Sequence, residues 1–166
     1  PDKANYHLKP GFIHGGRSTL MSWLPEKTVL VPTDFSGPSV DAIKTAMELV
    51  ETPPDVHVLY VLEHLEHSAP AALFGDFDEP SRKERAGEFL DQFLKRHEIT
   101  RVTEVIRIGN PGFEITEYAR ESKSDLIVIP SHGHHGLRRI LLGSVAERVL
   151  RHAECPTLVL RRQASD

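Results

Sequence analysis

Residues 125–144 read DLIVIPSHGHHGLRRILLGS, and the order of events along that stretch decides the fold. Leu126 to Ile129 form an unbroken apolar run with none of the alternation of a strand that has one wet face. Such a strand must be covered on both sides. A loop dense in histidine and glycine follows. Gly143-Ser144 then opens another apolar stretch, with Ser144 as a cap and Glu147 three residues on, the pattern of a capping box. A strand, a loop and a helix in that order make up the repeating unit of a parallel sheet with crossover helices.

The same alternation extends outward from Lys27. The β-rich runs are TVLVP (28–32), VHVLYVL (56–62), VTEVIRI (102–108), DLIVIP (125–130) and TLVLR (157–161), and all but the third are nearly continuous apolar stretches. Between them, Val40, Ile43, Met47 and Val50 mark one apolar helical stripe, and Ala86, Phe89, Leu90, Phe93 and Leu94 mark a second. Asn110-Pro111 starts a third helix, a cap residue followed by proline at the first helical position, with Ile115, Tyr118 and Ala119 inward. The order βαβαβαβαβ with right-handed crossovers predicts an α/β three-layer open sandwich. A ligand is expected beyond the carboxyl ends of the strands, where the strand order reverses. That rule brings TDFSG (33–37) and PSHGHHG (130–136) to one edge. The irregular stretch 63–79 reads as a flap beside it. Residues 1–24 show neither helix nor strand period but contain Phe12, Ile13, Leu20, Met21, Trp23 and Leu24. They read as an arm that packs on its own domain or on a partner subunit, or else as a poorly ordered terminus.

Composition narrows the function. The 166 residues carry a formal net charge of −4 with mixed signs, which provides no basic field for nucleic acid. Cys155 is the single cysteine, as expected for a reducing compartment, and the cytoplasm is the expected location. No apolar stretch approaches the roughly 20 residues of a membrane-spanning helix, so no membrane role is expected.

Several chemistries compete for the loop after Ile129. Gly133 and Gly143-Ser144, spaced by nine residues, outline a phosphate cradle: a helix start offers unpaired N–H groups, and glycine permits close approach of an anion. The simpler reading is a tight turn with a helix cap. Asp34, directly after an apolar strand, stands where a sugar hydroxyl needs an acceptor, or else serves a turn. His132, His134 and His135, with His64 and His67, suggest a metal, but adjacent histidines on a glycine-rich loop rarely converge, and no metal site is expected. Ser131-His132 suggests a hydrolase, yet Ile129 stands where a nucleophile elbow needs glycine. Neither GxxxxGK[ST] nor GxGxxG occurs. Cys155, beside Pro156, reads as an inert thiol.

Residues 27–162 resemble the universal stress protein family. The resemblance is carried by KTVLVPTDFS (27–36), VHVLYVLEH (56–64), IGNPGFEITEYARESKSDLIVI (108–129) and SHGHHGLRRILLGSVAERVLRHAECPTLVLR (131–161). It implies a five-stranded parallel sheet of order 3-2-1-4-5, an adenine nucleotide alpha hydrolase-like fold. Residues 25–162 would form the domain, flanked by the arm at 1–24 and a tail at 163–166. In the nucleotide-binding branch the signature is G-x-x-G, nine residues, G-[ST]. Gly133, Gly143 and Ser144 match it, but Pro130 replaces the first glycine and removes its N–H. The resemblance carries Asp34 to the ribose and the backbone of Val61 to the adenine. It carries Gly133 and the amides around Gly143, Ser144 and Val145 to the phosphates, with Arg138 and Arg139 in reach, and it adds Pro32, Thr33 and Pro130 to the pocket.

The expected function is an adenine nucleotide-binding stress-response sensor or regulator, with ATP or AMP as ligand, magnesium as an optional companion and little or no hydrolysis. A homodimer through the C-terminal strand is implied. The alternative is a dimeric interaction module of the same fold that binds no nucleotide and uses its arm to engage a further protein. A hydrolase using Ser131 and His132 is the third reading.

Overall fold

The computed structural model describes residues 28–64, 79–131 and 142–161. The arm, the tail, most of the 63–79 flap and the loop 132–141 lie outside them. Five strands, β1 (Val29–Thr33), β2 (Val56–Leu62), β3 (Thr103–Ile108), β4 (Leu126–Pro130) and β5 (Thr157–Leu160), form one parallel sheet of order β3-β2-β1-β4-β5. The helices are α1 (Gly37–Leu49), α2 (Glu79–Arg96), α3 (Pro111–Glu121) and α4 (Ser144–His152). The α/β sandwich and the strand order are those the sequence implies.

The unbroken apolar runs are explained by two cores, one on each face of the sheet. Val29, Val31, Val56, Val58 and Val128 pack with Val40, Ile43 and Ala46 of α1 and with Leu90, Phe93 and Leu94 of α2. Leu30, Leu59, Val61, Ile127 and Ile129 pack with Ile115 and Ala119 of α3 and with Ala146 and Val149 of α4. Alternate residues of one strand thus serve opposite cores, and both parities are mostly apolar. At the far end of α3, the Tyr118 hydroxyl meets His57 Nδ1 of β2 at 2.9 Å, and burial holds the His57 pKa below its ordinary value.

The local signal at the start of α3 holds, and two other expectations for the helices do not. Asn110 caps α3 as its sequence suggests, its side chain accepting from the Phe113 N–H at 3.3 Å. The capping box expected at Ser144 does not form. Gly143 is the N-cap, Ser144 lies inside the first turn, and Glu147 turns forward to Arg151 at 2.7 Å. A full i,i+4 ion pair is available to Glu147 there, whereas Ser144 as the first helical residue has no N-cap geometry to share. Phe89, expected on the inner face of α2, is 51% exposed because Ala86, Leu90, Phe93 and Leu94 already fill that face.

The sheet has one irregularity, at its switch in strand order. Strands β1 and β2 pair over five register positions, Val29↔Val56 to Thr33↔Tyr60. Between β1 and β4 the register ends at Leu30↔Ile127, three residues short of the carboxyl end of each strand. The N–H of Ile127 donates to Pro156 O at 3.0 Å and that of Ser131 to Leu160 O at 2.8 Å, so odd-numbered residues of β4 face β5. Even-numbered residues, Pro130 among them, therefore face β1, and the matching alternation turns Leu30 and Pro32 of β1 toward β4. The next two ladder bonds would need the N–H of residue 32 and then of residue 130. Both are proline and have none. The strands part at this point, and a crevice opens at the switch in strand order.

Pro130→Ala supplies the second missing donor. In that variant the residue 130 amide is expected to bond to Pro32 O and to exchange with solvent on the order of 100-fold more slowly than a free peptide amide. Unprotected exchange would contradict the facing of the two prolines.

Candidate functional site

Four segments emerge at the carboxyl edge of the sheet: residues 33–37 after β1, Glu63 after β2, Gly109-Asn110 and the first turn of α3 after β3, and Leu142-Gly143 with the first turn of α4. The first is fixed by its own side chains. Thr33 Oγ1 donates to Ser39 Oγ at 3.0 Å and accepts from the Phe35 N–H at 3.1 Å, while Ser39 Oγ donates to Ser36 O at 2.8 Å. Asp34 Oδ1 accepts from both the N–H and the hydroxyl of Ser36. This Asx turn holds the carboxylate at the rim.

Phe35 makes the turn possible at a cost. Its φ of 63° is left-handed, a region that bulky residues avoid by about 1–2 kcal/mol. Its ring offsets this by lying 4.4 Å from Tyr60, 4.6 Å from Phe89 and 5.2 Å from Phe93, each such pair contributing about 0.5–1.5 kcal/mol beyond burial. The aromatic cluster packs against the edge of the α1–α2 core, with Phe93 inside it and Phe89 at its exposed rim, and anchors the backbone next to Asp34.

On the α3–α4 side lies a cleft of about 450 Å³, lined by Glu63, by Asn110 and Gly112, and by Ser144, Val145 and Arg148 of α4, among others. Two helix N-termini open into it, each with first-turn N–H groups that have no partner inside the helix and a partial positive charge. Two glycines shape the wall. Gly109, at φ +152° and bonded through its N–H to Leu62 O at 2.8 Å, turns the chain out of β3. A Cβ on Gly112 would fall 2.5 Å from Arg148 Cδ, so α3 and α4 approach here only because residue 112 has no side chain.

Of the expected site residues, Ser144 and Val145 line this cleft, and the other described ones stand elsewhere. Pro32 is buried in β1 and Pro130 half-buried in β4, both bordering the crevice, and Asp34 is half-buried at its rim. Val61 is 8% exposed and belongs to the core beneath the cleft. The Thr33 hydroxyl is tied to Ser39 and Phe35 on the α1 side. Gly143 adopts φ −61°, which any residue can, and its N–H donates to Ser131 O at 2.9 Å. Of the three amides expected to meet phosphate, those of Ser144 and Val145 therefore remain. Gly133, Arg138, Arg139, His67, His132, His134 and His135 lie outside the described residues. His64 pairs with Glu79 at 3.5 Å, and among the described residues no group of three side chains is placed to hold a metal ion. Ser131 is 8% exposed with its N–H on Leu160 O, a poor place for a nucleophile. Burial pushes the Cys155 thiol pKa up, away from reactivity. Sequence reasoning missed Phe35, Glu63, Gly112 and Arg148. A glycine in the first turn of a helix, as at 112, is the one signal of close approach that was available.

Comparison with known proteins follows the same outline. The model of the Universal stress protein family matches residues 26–161. Universal stress protein MJ0531 of Methanocaldococcus jannaschii is 38% identical over 82% of this chain and 82% of its own. The solved structure of MJ0577 from the same organism is 30% identical, covers 84% of this chain and 98% of its own, and superposes with a TM-score of 0.68. The universal stress protein of Archaeoglobus fulgidus, solved in complex with dAMP, shares the fold at 18% identity and a TM-score of 0.53, covering 80% of this chain and 96% of its own.

The strain at Phe35 gives a stability order that burial alone would not. Phe35→Val is expected to cost about 2–4 kcal/mol in urea unfolding, because a β-branched residue resists positive φ. Phe35→Gly is expected to cost about 1 kcal/mol less despite removing more apolar surface. The reverse order would show that the left-handed turn does not govern this position.

Proposed function

The chain belongs to the universal stress protein family, and from that premise we propose that it binds an adenine nucleotide, ATP or AMP, in the cleft beside the β1–β4 crevice. It acts there as a stress-response sensor or regulator. The observation that carries the reading is the meeting, at one edge, of a sheet opening, a fixed acidic rim and two helix N-termini. Such an edge offers acceptors for a sugar at Asp34 and donors for an anion at Ser144 and Val145, the two kinds of group that a nucleotide presents. The adenine packs against the backbone at Val61, and Pro32, Thr33 and Pro130 floor the pocket, with Gly133 and Gly143 assigned to the phosphate end by the family signature. That the Archaeoglobus fulgidus protein holds dAMP on this fold supports an adenine nucleotide as the ligand class.

Hydrolysis is slow or absent in this reading. The sequence offers an anion site but no evident base to activate water and no acidic pair to hold magnesium, as efficient phosphoryl transfer requires. Magnesium enters, if at all, on the phosphates of ATP. A cytoplasmic homodimer accompanies the proposal. β5 is an edge strand that exposes Leu158 to 38%, and pairing a second copy there covers both the edge and the side chain. No helix among the described residues is long and apolar enough to cross a membrane.

Titration calorimetry with ATP, AMP and GTP tests the reading. Adenine nucleotides are expected to bind more tightly than GTP, and Asp34→Ala to weaken them by about 10- to 100-fold, the loss of a hydrogen bond to a charged acceptor. No heat with any adenine nucleotide at millimolar concentration would leave only an interaction module of the same fold.

A further inference from the structure

We infer that Arg148 is the residue by which this cleft tells a nucleoside polyphosphate from a monophosphate, an inference that rests on the adenine nucleotide reading above. Arg148 stands one turn into α4, three and four residues after Val145 and Ser144, and so shares their helix face. Long side chains on a helix lean back toward its N-terminus, which carries the Arg148 guanidinium toward the amides of that first turn. The stem is held in place: Arg148 Cβ, Cγ and Cδ occupy the space where a Cβ on Gly112 would be, at 2.9, 2.9 and 2.5 Å from it.

The charges around it leave Arg148 available. Among the cleft residues, Arg151 is paired with Glu147 at 2.7 Å and neutralised by it. Among the described residues Arg148 makes no hydrogen bond or ion pair, either with Glu147 or with Glu63, the other acid of the lining. A nucleotide whose first phosphate sits on the Ser144 and Val145 amides extends any further phosphates along the α3–α4 wall toward Arg148. A planar guanidinium suits those oxygens better than a mobile ammonium does. AMP ends before reaching it.

The test uses Arg148→Met, which keeps an apolar stem over Gly112 and removes the charge, with Arg148→Lys as a second variant that keeps charge without the fork. Thermal unfolding of both is compared with the wild type to confirm folding. By calorimetry, Arg148→Met is expected to weaken ATP by about 10- to 100-fold and AMP by less than about 3-fold, with Arg148→Lys between wild type and Met for ATP. An unchanged ratio of ATP to AMP affinity, whether both fall together or neither moves, overturns the inference while leaving nucleotide binding intact. A wild-type protein that binds neither nucleotide overturns the nucleotide reading and this inference with it.

Discussion

Two ring nitrogens that carry no hydrogen, at Pro32 and Pro130, determine where this sheet opens. In a parallel sheet each residue offers its N–H and C=O to one neighbour, and alternate residues serve alternate neighbours. Here the residues that should zip β1 to β4 at their carboxyl ends are both proline, so the ladder ends at Leu30↔Ile127 while the flanking ladders continue. Switch points in parallel sheets diverge because the crossover helices on either side leave in opposite directions. In this chain the divergence is also imposed covalently, because the donors that would close it do not exist. Pro130 thus has a structural consequence apart from any contact it denies a ligand.

The surroundings of the crevice divide the work between the two faces of the sheet. The α1–α2 face supplies rigidity. Its aromatic cluster holds Phe35 in a left-handed conformation, and the Thr33–Ser39 hydrogen bonds fix the turn that presents Asp34. The α3–α4 face supplies space and positive potential, because Gly112 lets two helix N-termini converge and lays the Arg148 stem between them.

Much of this was legible in the sequence, for a simple reason. Strands covered on both faces must be apolar wherever no partner satisfies a polar side chain, and Val29–Val31, Val58-Leu59 and Leu126–Ile129 carry that mark, with His57 of β2 held by its bond to Tyr118. Asn110-Pro111 likewise fixed a helix start through a purely local bond. What could not be read depends on residues far apart in the chain or on a choice between local partners. The contact of Gly112 with Arg148 spans 36 positions. Glu147 had two local options and took the ion pair with Arg151 over the capping box. Phe35 carries no sign of its positive φ, because only its distant ring partners make that conformation tolerable. The missing ladder bonds were written at Pro32 and Pro130 from the start, but they acquire meaning only once the register and facing of β1 and β4 are known.

The central claim is that the β1–β4 opening and the adjoining cleft form one ligand seat. It is tested most directly by the amide spectrum of the 15N-labelled protein, recorded as ATP is added. The account predicts shifts concentrated at Asp34, Val61, Ser144, Val145 and the Arg148 side-chain N–H, with β5 and the Tyr118–His57 end of the sheet unmoved. Saturable shifts confined to residues outside this edge, or a spectrum indifferent to ATP, would contradict it.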